Sequence, residues 1–198
     1  MILSKEISKK TGILKKEEFD EILDKILVGN NKESLTEKTI RNQRTEMIKL
    51  FGLVKYVDGL AYPGQRLEKL AQTQDIPRFF KSFCRQFQFP AGFLTPDKVK
   101  EMVQVGVSFK PAKYILNILK VGQSKYGEQF SLDAAEVTHF IFNDIRVTAK
   151  KEKPIDVVNR IRDVRTKKMT LDRTSDVIRY ARDFLNYMVE ANLLIEFQ

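Results

Sequence analysis

The segment that most constrains the fold is 35–71, in which a polar helical pattern passes directly into two short apolar runs within 53–62. Gly52 follows the last apolar residue of the helical pattern, where helices commonly end in a left-handed residue. Asp58 and Gly59 separate the two apolar runs and can supply the positive φ angles of a tight hairpin. A polar helix followed at once by a two-stranded ribbon is the pattern of a winged helix-turn-helix.

The helix of this segment has an apolar face and an opposite face with the donors that contact bases in the DNA major groove. The second face contains Lys38, Arg41, Asn42, Thr45 and Lys49. Arg44 lies nearer the apolar face, and we include it with Arg41 and Asn42 as a predicted base contact. The pattern predicts double-stranded DNA binding. The alternative is a solvated face on an ordinary helix.

Composition favours an anionic partner. The chain has a formal net charge of +9 and a sequence pI near 9.5, which suits nucleic acid. Its one cysteine, Cys84, excludes an internal disulfide, and the neighbouring phenylalanines predict a buried, inert thiol. The sequence has neither a membrane-length apolar run nor the apolar core of a signal peptide, so we expect a cytoplasmic protein.

No constellation of residues in the sequence supports catalysis. His139 is the single histidine and falls inside an apolar helical pattern, where a structural role is favoured. One histidine and one cysteine cannot form a usual zinc site. A Gly-rich phosphate loop and a carboxylate cluster for Mg²⁺ are both missing from the pattern. We therefore expect no catalytic residue, metal or cofactor for this chain.

Hydrophobic periodicity predicts a mainly α-helical fold with small β-hairpins, arranged as tandem winged helix-turn-helix subdomains. Helices are predicted at 17–27, 35–51, 75–89, 96–104, 111–121, 132–142, 154–167 and 174–190, and a last strand at 193–197. An echo of 40–44 at 178–182 supports the repeat. The predicted domains are 1–92, a connector at 93–108, and 109–198, whose wing stops partway. We expect a fragment of a longer protein, because an unpaired apolar edge strand is an aggregation hazard.

The second half contains a strongly basic stretch between Arg146 and Arg173. Such a segment supplies affinity through phosphate contacts. The predicted phosphate contacts are Arg165, Lys167, Lys168 and Arg173. Arg179 and Arg182 occupy the echo of Arg41 and Arg44, so we expect a second contact surface there. The alternatives are a solvated helix with pairs such as Arg160 with Asp163, and pairing of the two echo arginines with Asp172, Asp176 or Asp183.

The run at 41–70, RNQRTEMIKLFGLVKYVDGLAYPGQRLEKL, resembles the winged-helix block of type IIS restriction and nicking endonucleases of the AlwI and FokI kind. Three further segments are similar to later parts of the same region: 80–90, which reads FKSFCRQFQFP, 109–142 and 179–196. The resemblance implies a tandem winged-helix recognition module. It also implies a Mg²⁺-dependent nuclease domain outside this chain, in cis or as a separate catalytic subunit, and binding as a monomer.

Two other interpretations stay open at the level of sequence. One is a winged-helix transcriptional regulator or replication initiator, which would usually dimerise on a palindromic site. The other is a winged-helix scaffold for protein interactions with no role on DNA. The sequence does not give the DNA site or the cleavage offset.

Overall fold

The computed structural model describes residues 14–29, 36–90 and 94–195. The chain divides into two compact units, Met1–Phe79 and Phe80–Gln198. The predicted subdomain limits at 92 and 109 stay a prediction. Among the residues described, no helix combines the length and apolar character needed to cross a bilayer.

The first unit combines helices with one hairpin. Its described elements in chain order are α1 (Lys16–Gly29), α2 (Glu37–Thr45) continued by a π-helical turn (Glu46–Leu50), β1 (Val54–Val57), β2 (Leu60–Pro63) and α3 (Gln65–Thr73). The next helix, α4 (Ile76–Gln86), begins in the first unit and ends in the second. Thr36 caps α2, because its side chain accepts a hydrogen bond from the Thr39 backbone N–H at 3.2 Å. The polar helix predicted from sequence is confirmed over this range.

The hairpin forms where the turn residues predicted it. β1 and β2 are antiparallel, with Val54 opposite Pro63 and Val57 opposite Leu60. Asp58 and Gly59 have φ angles of 50° and 77°, the two positive values that a type I′ turn requires. A further backbone segment joins β2, because Lys15 forms an isolated antiparallel bridge with Leu60. The core beneath these elements is apolar and includes Phe19, Leu23, Leu50, Phe51, Leu53, Val54, Ala61 and Leu67.

The described part of the second unit is mainly helical, with one isolated antiparallel bridge between Phe89 and Phe109. After the remainder of α4, its elements are α5 (Pro96–Gln104), α6 (Pro111–Tyr126), α7 (Ala134–Val137) with a π-helical turn (Thr138–Phe142), α8 (Ile145–Thr148), α9 (Pro154–Thr166) and α10 (Ser175–Glu190). α9 packs on α6, and α10 packs on α7 and its π-helical turn. Aromatic rings fill the core between them, among them Phe83, Phe87, Phe142 and Phe184.

The strand predicted at 193–197 is wrong over 193–195, which have no strand structure. α10 ends at Glu190, its C-cap is Ala191, and the next residue, Asn192, has a left-handed φ of 53°. The Asn192 N–H donates to the Val189 carbonyl at 2.8 Å and the Leu193 N–H donates to the Met188 carbonyl at 2.9 Å, which is a Schellman closure of the helix. The Leu193 donor is therefore used by the helix end and not by a ladder. Residues 196 and 197 lie outside the described range.

Over the described residues the fold is therefore mainly α with a two-stranded antiparallel sheet, β1 paired with β2. The helices predicted at 96–104, 154–167 and 174–190 are confirmed to within a residue or two. The short helix α8 lies between the helices predicted at 132–142 and 154–167, where the sequence predicts no helix. The helix predicted over 132–142 begins at Ala134 and widens into a π-helical turn. The tandem winged-helix arrangement stays a prediction.

Candidate nucleic-acid interface

Four of the six polar side chains that the sequence predicts as DNA contacts on α2 and its π-helical turn are exposed to solvent. Lys38, Arg41, Asn42 and Lys49 are exposed. Thr45 is half-buried, and its hydroxyl donates to the Arg41 carbonyl oxygen at 2.8 Å. Three cations and an amide thus face solvent along a single helix and its π-helical turn.

Arg44 points to a different neighbour. Its Nη1 lies 2.8 Å from Oδ2 of Asp24 on α1, and 24% of its side chain is exposed. The pair ties α2 to α1. The guanidinium is already committed within the protein, which distinguishes Arg44 from Arg41 on the same helix.

α1 also holds the hairpin. The hydroxyl of Tyr56 on β1 donates to Oδ1 of Asp20 on α1 at 2.5 Å. Burial, that hydrogen bond and the charge of Asp20 raise the pKa of Tyr56, so its hydroxyl remains a donor at neutral pH. Asp20 and Asp24 are one helical turn apart and hold β1 and α2 respectively. Sequence reasoning missed both, although two acids at this spacing on an amphipathic helix were the available signal.

Backbone contacts fix the hairpin at the end of α2. The Leu53 N–H donates to the Met47 carbonyl at 3.0 Å, and the Gly64 N–H donates to the Leu53 carbonyl at 2.8 Å. Gly64 closes this junction so tightly that a Cβ there would lie 2.4 Å from the Gly52 carbonyl oxygen. The exposed face of α2 and the hairpin are therefore held in one geometry, which is what a rigid recognition surface needs.

In the second unit, Arg165 is bound to a buried carboxylate. Its Nε and Nη2 each lie 2.6 Å from an oxygen of Glu136, and Nη2 also donates to the Ser131 carbonyl at 2.7 Å. The Glu136 side chain is 6% exposed and that of Arg165 is 33% exposed. The guanidinium also lies 5.2 Å from the centre of the Phe130 ring. Arg165 therefore anchors α9 to the start of α7.

Lys167, Lys168 and Arg173, the other predicted phosphate contacts, are exposed. Arg173 lies 2.6 Å from Oδ2 of Asp133, with 62% of its side chain exposed. Lys167 and Lys168 follow the end of α9, and in the described part of the chain neither forms an ion pair. These two lysines are the members of the predicted set with uncommitted charge.

The two echo arginines have local partners. Arg179 lies over the Tyr180 ring at 4.9 Å, and its Nη2 donates to the Tyr180 hydroxyl at 3.2 Å. Arg182 is 46% exposed, with its Nε 3.8 Å from Asp183 Oδ1, so the pairing with Asp183 considered from sequence does occur. Both arginines lie on the first half of α10.

An arginine–carboxylate network that the sequence did not indicate lies at 144–160. Arg160 contacts Asp144 at 2.7 Å and also pairs with Glu152, and not with Asp163. Arg146 binds Asp144 as well, at 2.8 Å. Burial alone would raise the pKa of Asp144, but hydrogen bonds from the side chain and backbone of Arg146 and the charge of Arg160 outweigh it and lower that pKa. Pairs distant in sequence give no periodic signal.

The described residues contain no group of three His, Cys, Asp or Glu side chains that could hold a metal ion. Nε2 of His139 lies 3.0 Å from the Asp172 carbonyl oxygen, which is a structural contact. Cys84 is buried as predicted, and burial raises its pKa to about 12. A thiol of that pKa is neutral and unreactive at physiological pH.

Comparison with known proteins also indicates a nucleic-acid interface. A family model described as restriction endonuclease BpuJI, N terminal, matches residues 1–198. The chain belongs to this family. It is also similar to a solved structure described as pyrene- and phenanthrene-modified DNA in complex with the BpuJ1 endonuclease binding domain. The similarity has a TM-score of 0.80 and 29% sequence identity, covering 100% of this chain and 72% of that one. No match was found among curated proteins.

Proposed function

We propose that this chain binds double-stranded DNA with sequence preference, as the recognition module of a restriction endonuclease. The observation that carries the proposal is the exposed face of α2. Lys38, Arg41, Asn42 and Lys49 lie on a helix whose end is fixed to a hairpin by backbone hydrogen bonds. Arginine and asparagine at such positions contact guanine and adenine edges in the major groove. Family membership and the DNA-bound relative support the same activity.

The order of elements in the first unit supports a winged helix. The segment at Lys15 bridges to β2, α1 and α2 follow, and the hairpin comes directly after α2. In a winged helix-turn-helix this order makes α2 the recognition helix. We assign base contacts to Arg41 and Asn42, and phosphate contacts to Lys38 and Lys49. Arg44 supports this surface through Asp24, and any base contact by Arg44 would have to break that pair.

For the second unit we propose a second winged-helix-like subdomain in which α10 presents Arg179 and Arg182. The parent enzyme is proposed to be of type IIS, of the AlwI and FokI kind. Its Mg²⁺-dependent nuclease domain would be in cis or in a separate subunit. Asymmetric recognition of that kind is compatible with binding as a monomer.

The experiment begins with selection of duplexes that the full chain binds from a random pool, followed by an electrophoretic shift with the selected and a random duplex. We expect a preferred sequence. Arg41→Ala should reduce the preference at one base pair, whereas Lys69→Ala, an exposed cation on α3, should not. A chain that binds every duplex equally, or none, would contradict the proposal. Incubation with plasmid and Mg²⁺ should leave the plasmid intact.

Sizing by analytical ultracentrifugation, with and without the selected duplex, separates this proposal from a dimeric regulator. One chain on an asymmetric site is the expected result. Two chains on a palindromic site would favour a transcriptional regulator or replication initiator.

A further inference from the structure

The second unit has a lysine-rich surface whose members are not among the individual residues predicted above as base or phosphate contacts. It is formed by Lys110 and Lys113 at the start of α6 and by Lys150, Lys151 and Lys153 between α8 and α9. All five lysines are exposed. We call this set the lysine surface.

Two hydrogen bonds bring the two parts of the lysine surface together. The Ser108 N–H donates to the Thr148 carbonyl oxygen at 3.0 Å. The Tyr114 hydroxyl donates to the Glu152 carbonyl oxygen at 2.5 Å. Burial, followed by the charge of Glu152, raises the pKa of Tyr114 to about 12, so this hydroxyl keeps its proton. The segment 108–114 is thereby held alongside 148–152, with the lysines next to or between the two bonds.

The carboxylates of this region are bound to arginines, which leaves the lysines without acidic partners. Asp144 pairs with Arg146 and Arg160, and Glu152 pairs with Arg160. Asp156 is the one carboxylate of 144–156, all of which the structure describes, outside these pairs. Across the described part of the chain, none of the five lysines forms an ion pair. The surface therefore retains its positive charge.

The local sequence adds positive charge where a helix disfavours it. α6 and α9 both begin with a lysine cap followed by proline, and neither cap makes a side-chain hydrogen bond to its helix. Serine, threonine, aspartate and asparagine are the stabilising residues at that position. A cation there is repelled by the positive end of the helix macrodipole. Two such starts beside each other are unfavourable for the isolated protein and become favourable when an anion is bound.

We propose that the lysine surface binds the sugar–phosphate backbone of the duplex that the first unit recognises. This inference rests on the proposed function. Flexible, point-charged lysines suit phosphates and carry no base specificity. The surface would therefore add affinity for every DNA sequence.

The test uses the full chain and two double variants, Lys110→Ala with Lys113→Ala and Lys150→Ala with Lys153→Ala. The matched control is Lys98→Ala with Lys100→Ala, which removes the same charge from exposed positions on α5. Each test variant should weaken binding to the selected and the random duplex by the same factor, on the order of tenfold, and reduce the salt slope by about two units. The control should change neither quantity.

A second measurement does not depend on variants. Lysine acetylation is followed by mass spectrometry with and without the selected duplex, and the five lysines should be protected while Lys98 and Lys100 stay reactive. Equal acetylation in both states, or test variants that behave like the control, would overturn the inference while the proposed function stands. Failure of the wild-type chain to bind any duplex would overturn the proposed function itself.

Discussion

Replacing Arg165 by methionine tests whether this predicted phosphate contact is primarily a structural anchor. Methionine keeps an unbranched apolar side chain and removes the guanidinium, including its contact with the face of the Phe130 ring. The variant loses two hydrogen bonds of 2.6 Å to Glu136 and one of 2.7 Å to the Ser131 carbonyl. Glu136, whose side chain is 6% exposed, is left without its cation.

The expected cost follows from burial. Breaking a buried ion pair by removing one partner costs about 3–5 kcal/mol. Water reaches this pair, because 33% of the Arg165 side chain is exposed, and Glu136 keeps the Asp133 N–H as a donor at 3.1 Å. We therefore expect Arg165→Met to lower the free energy of unfolding by about 2–3 kcal/mol. Arg165→Lys should recover only part of the lost stability, because lysine keeps the positive charge but cannot form the two parallel hydrogen bonds of a guanidinium.

Urea unfolding followed by far-ultraviolet circular dichroism measures the change. Arg162→Met is the control, because Arg162 is an exposed arginine of the same helix and lies over the Tyr126 ring at 4.7 Å; its cost should be at most about 1 kcal/mol. A double-mutant cycle with Glu136→Gln isolates the pair. Equal stability of the Arg165 and Arg162 variants would refute the reasoning. A fall of about one unit in the salt slope of DNA binding by folded Arg165→Met would show a phosphate contact as well.

Three further predictions concern other parts of the molecule. Arg41→Ala should weaken binding to the selected duplex by roughly 1–3 kcal/mol and leave binding to random duplex nearly unchanged, as measured by fluorescence anisotropy. Gly64→Ala should destabilise the chain by about 1–3 kcal/mol in urea, because the added Cβ would meet the Gly52 carbonyl oxygen at 2.4 Å. Gly64 has a φ of −79°, so no positive-φ strain adds to this clash, whereas Gly106→Ala meets no atom within 4 Å at a φ of 81° and measures the cost of positive φ alone. The pKa of Asp144 is lowered in the folded state. The stabilisation that its carboxylate provides is therefore complete above the unfolded pKa of about 3.9 and is lost as the pH falls through the folded pKa. In thermal melts at a series of acidic pH values, the melting temperature of Asp144→Asn should fall less steeply with decreasing pH than that of the wild type.

Local structure in this chain follows from local sequence. Gly52 ends the π-helical turn with φ of 62°, and Asp58 with Gly59 forms the hairpin turn. Pro111 and Pro154 begin helices at the positions predicted for them. Each of these outcomes depends on the backbone preferences of a few neighbouring residues, so periodicity and turn chemistry are sufficient to predict them.

The polar partners depended on packing. Arg41 and Arg44 lie three residues apart on one helix, yet Arg41 is exposed while Arg44 meets Asp24 on α1. Arg165 likewise belongs to a basic stretch and is predicted from the sequence to contact phosphate, yet its guanidinium binds Glu136, which is 29 residues away. No local pattern encodes such a pair, because its formation depends on where two helices come together.

The end of α10 shows the same difference between what the local sequence predicts and what the folded structure decides. An apolar run at 193–195 has the composition of a strand, and its sequence alone predicted one. The helix end decided otherwise, because the Leu193 N–H is used by the Met188 carbonyl, and Leu193 is half-buried without a partner strand among the residues described. The sequence by itself determined the helices, the hairpin and the basic character of this protein. Only the tertiary structure decided which basic side chains remain available to DNA. The reason is that packing brings carboxylates next to some of these side chains, and an ion pair within the protein offsets their positive charge.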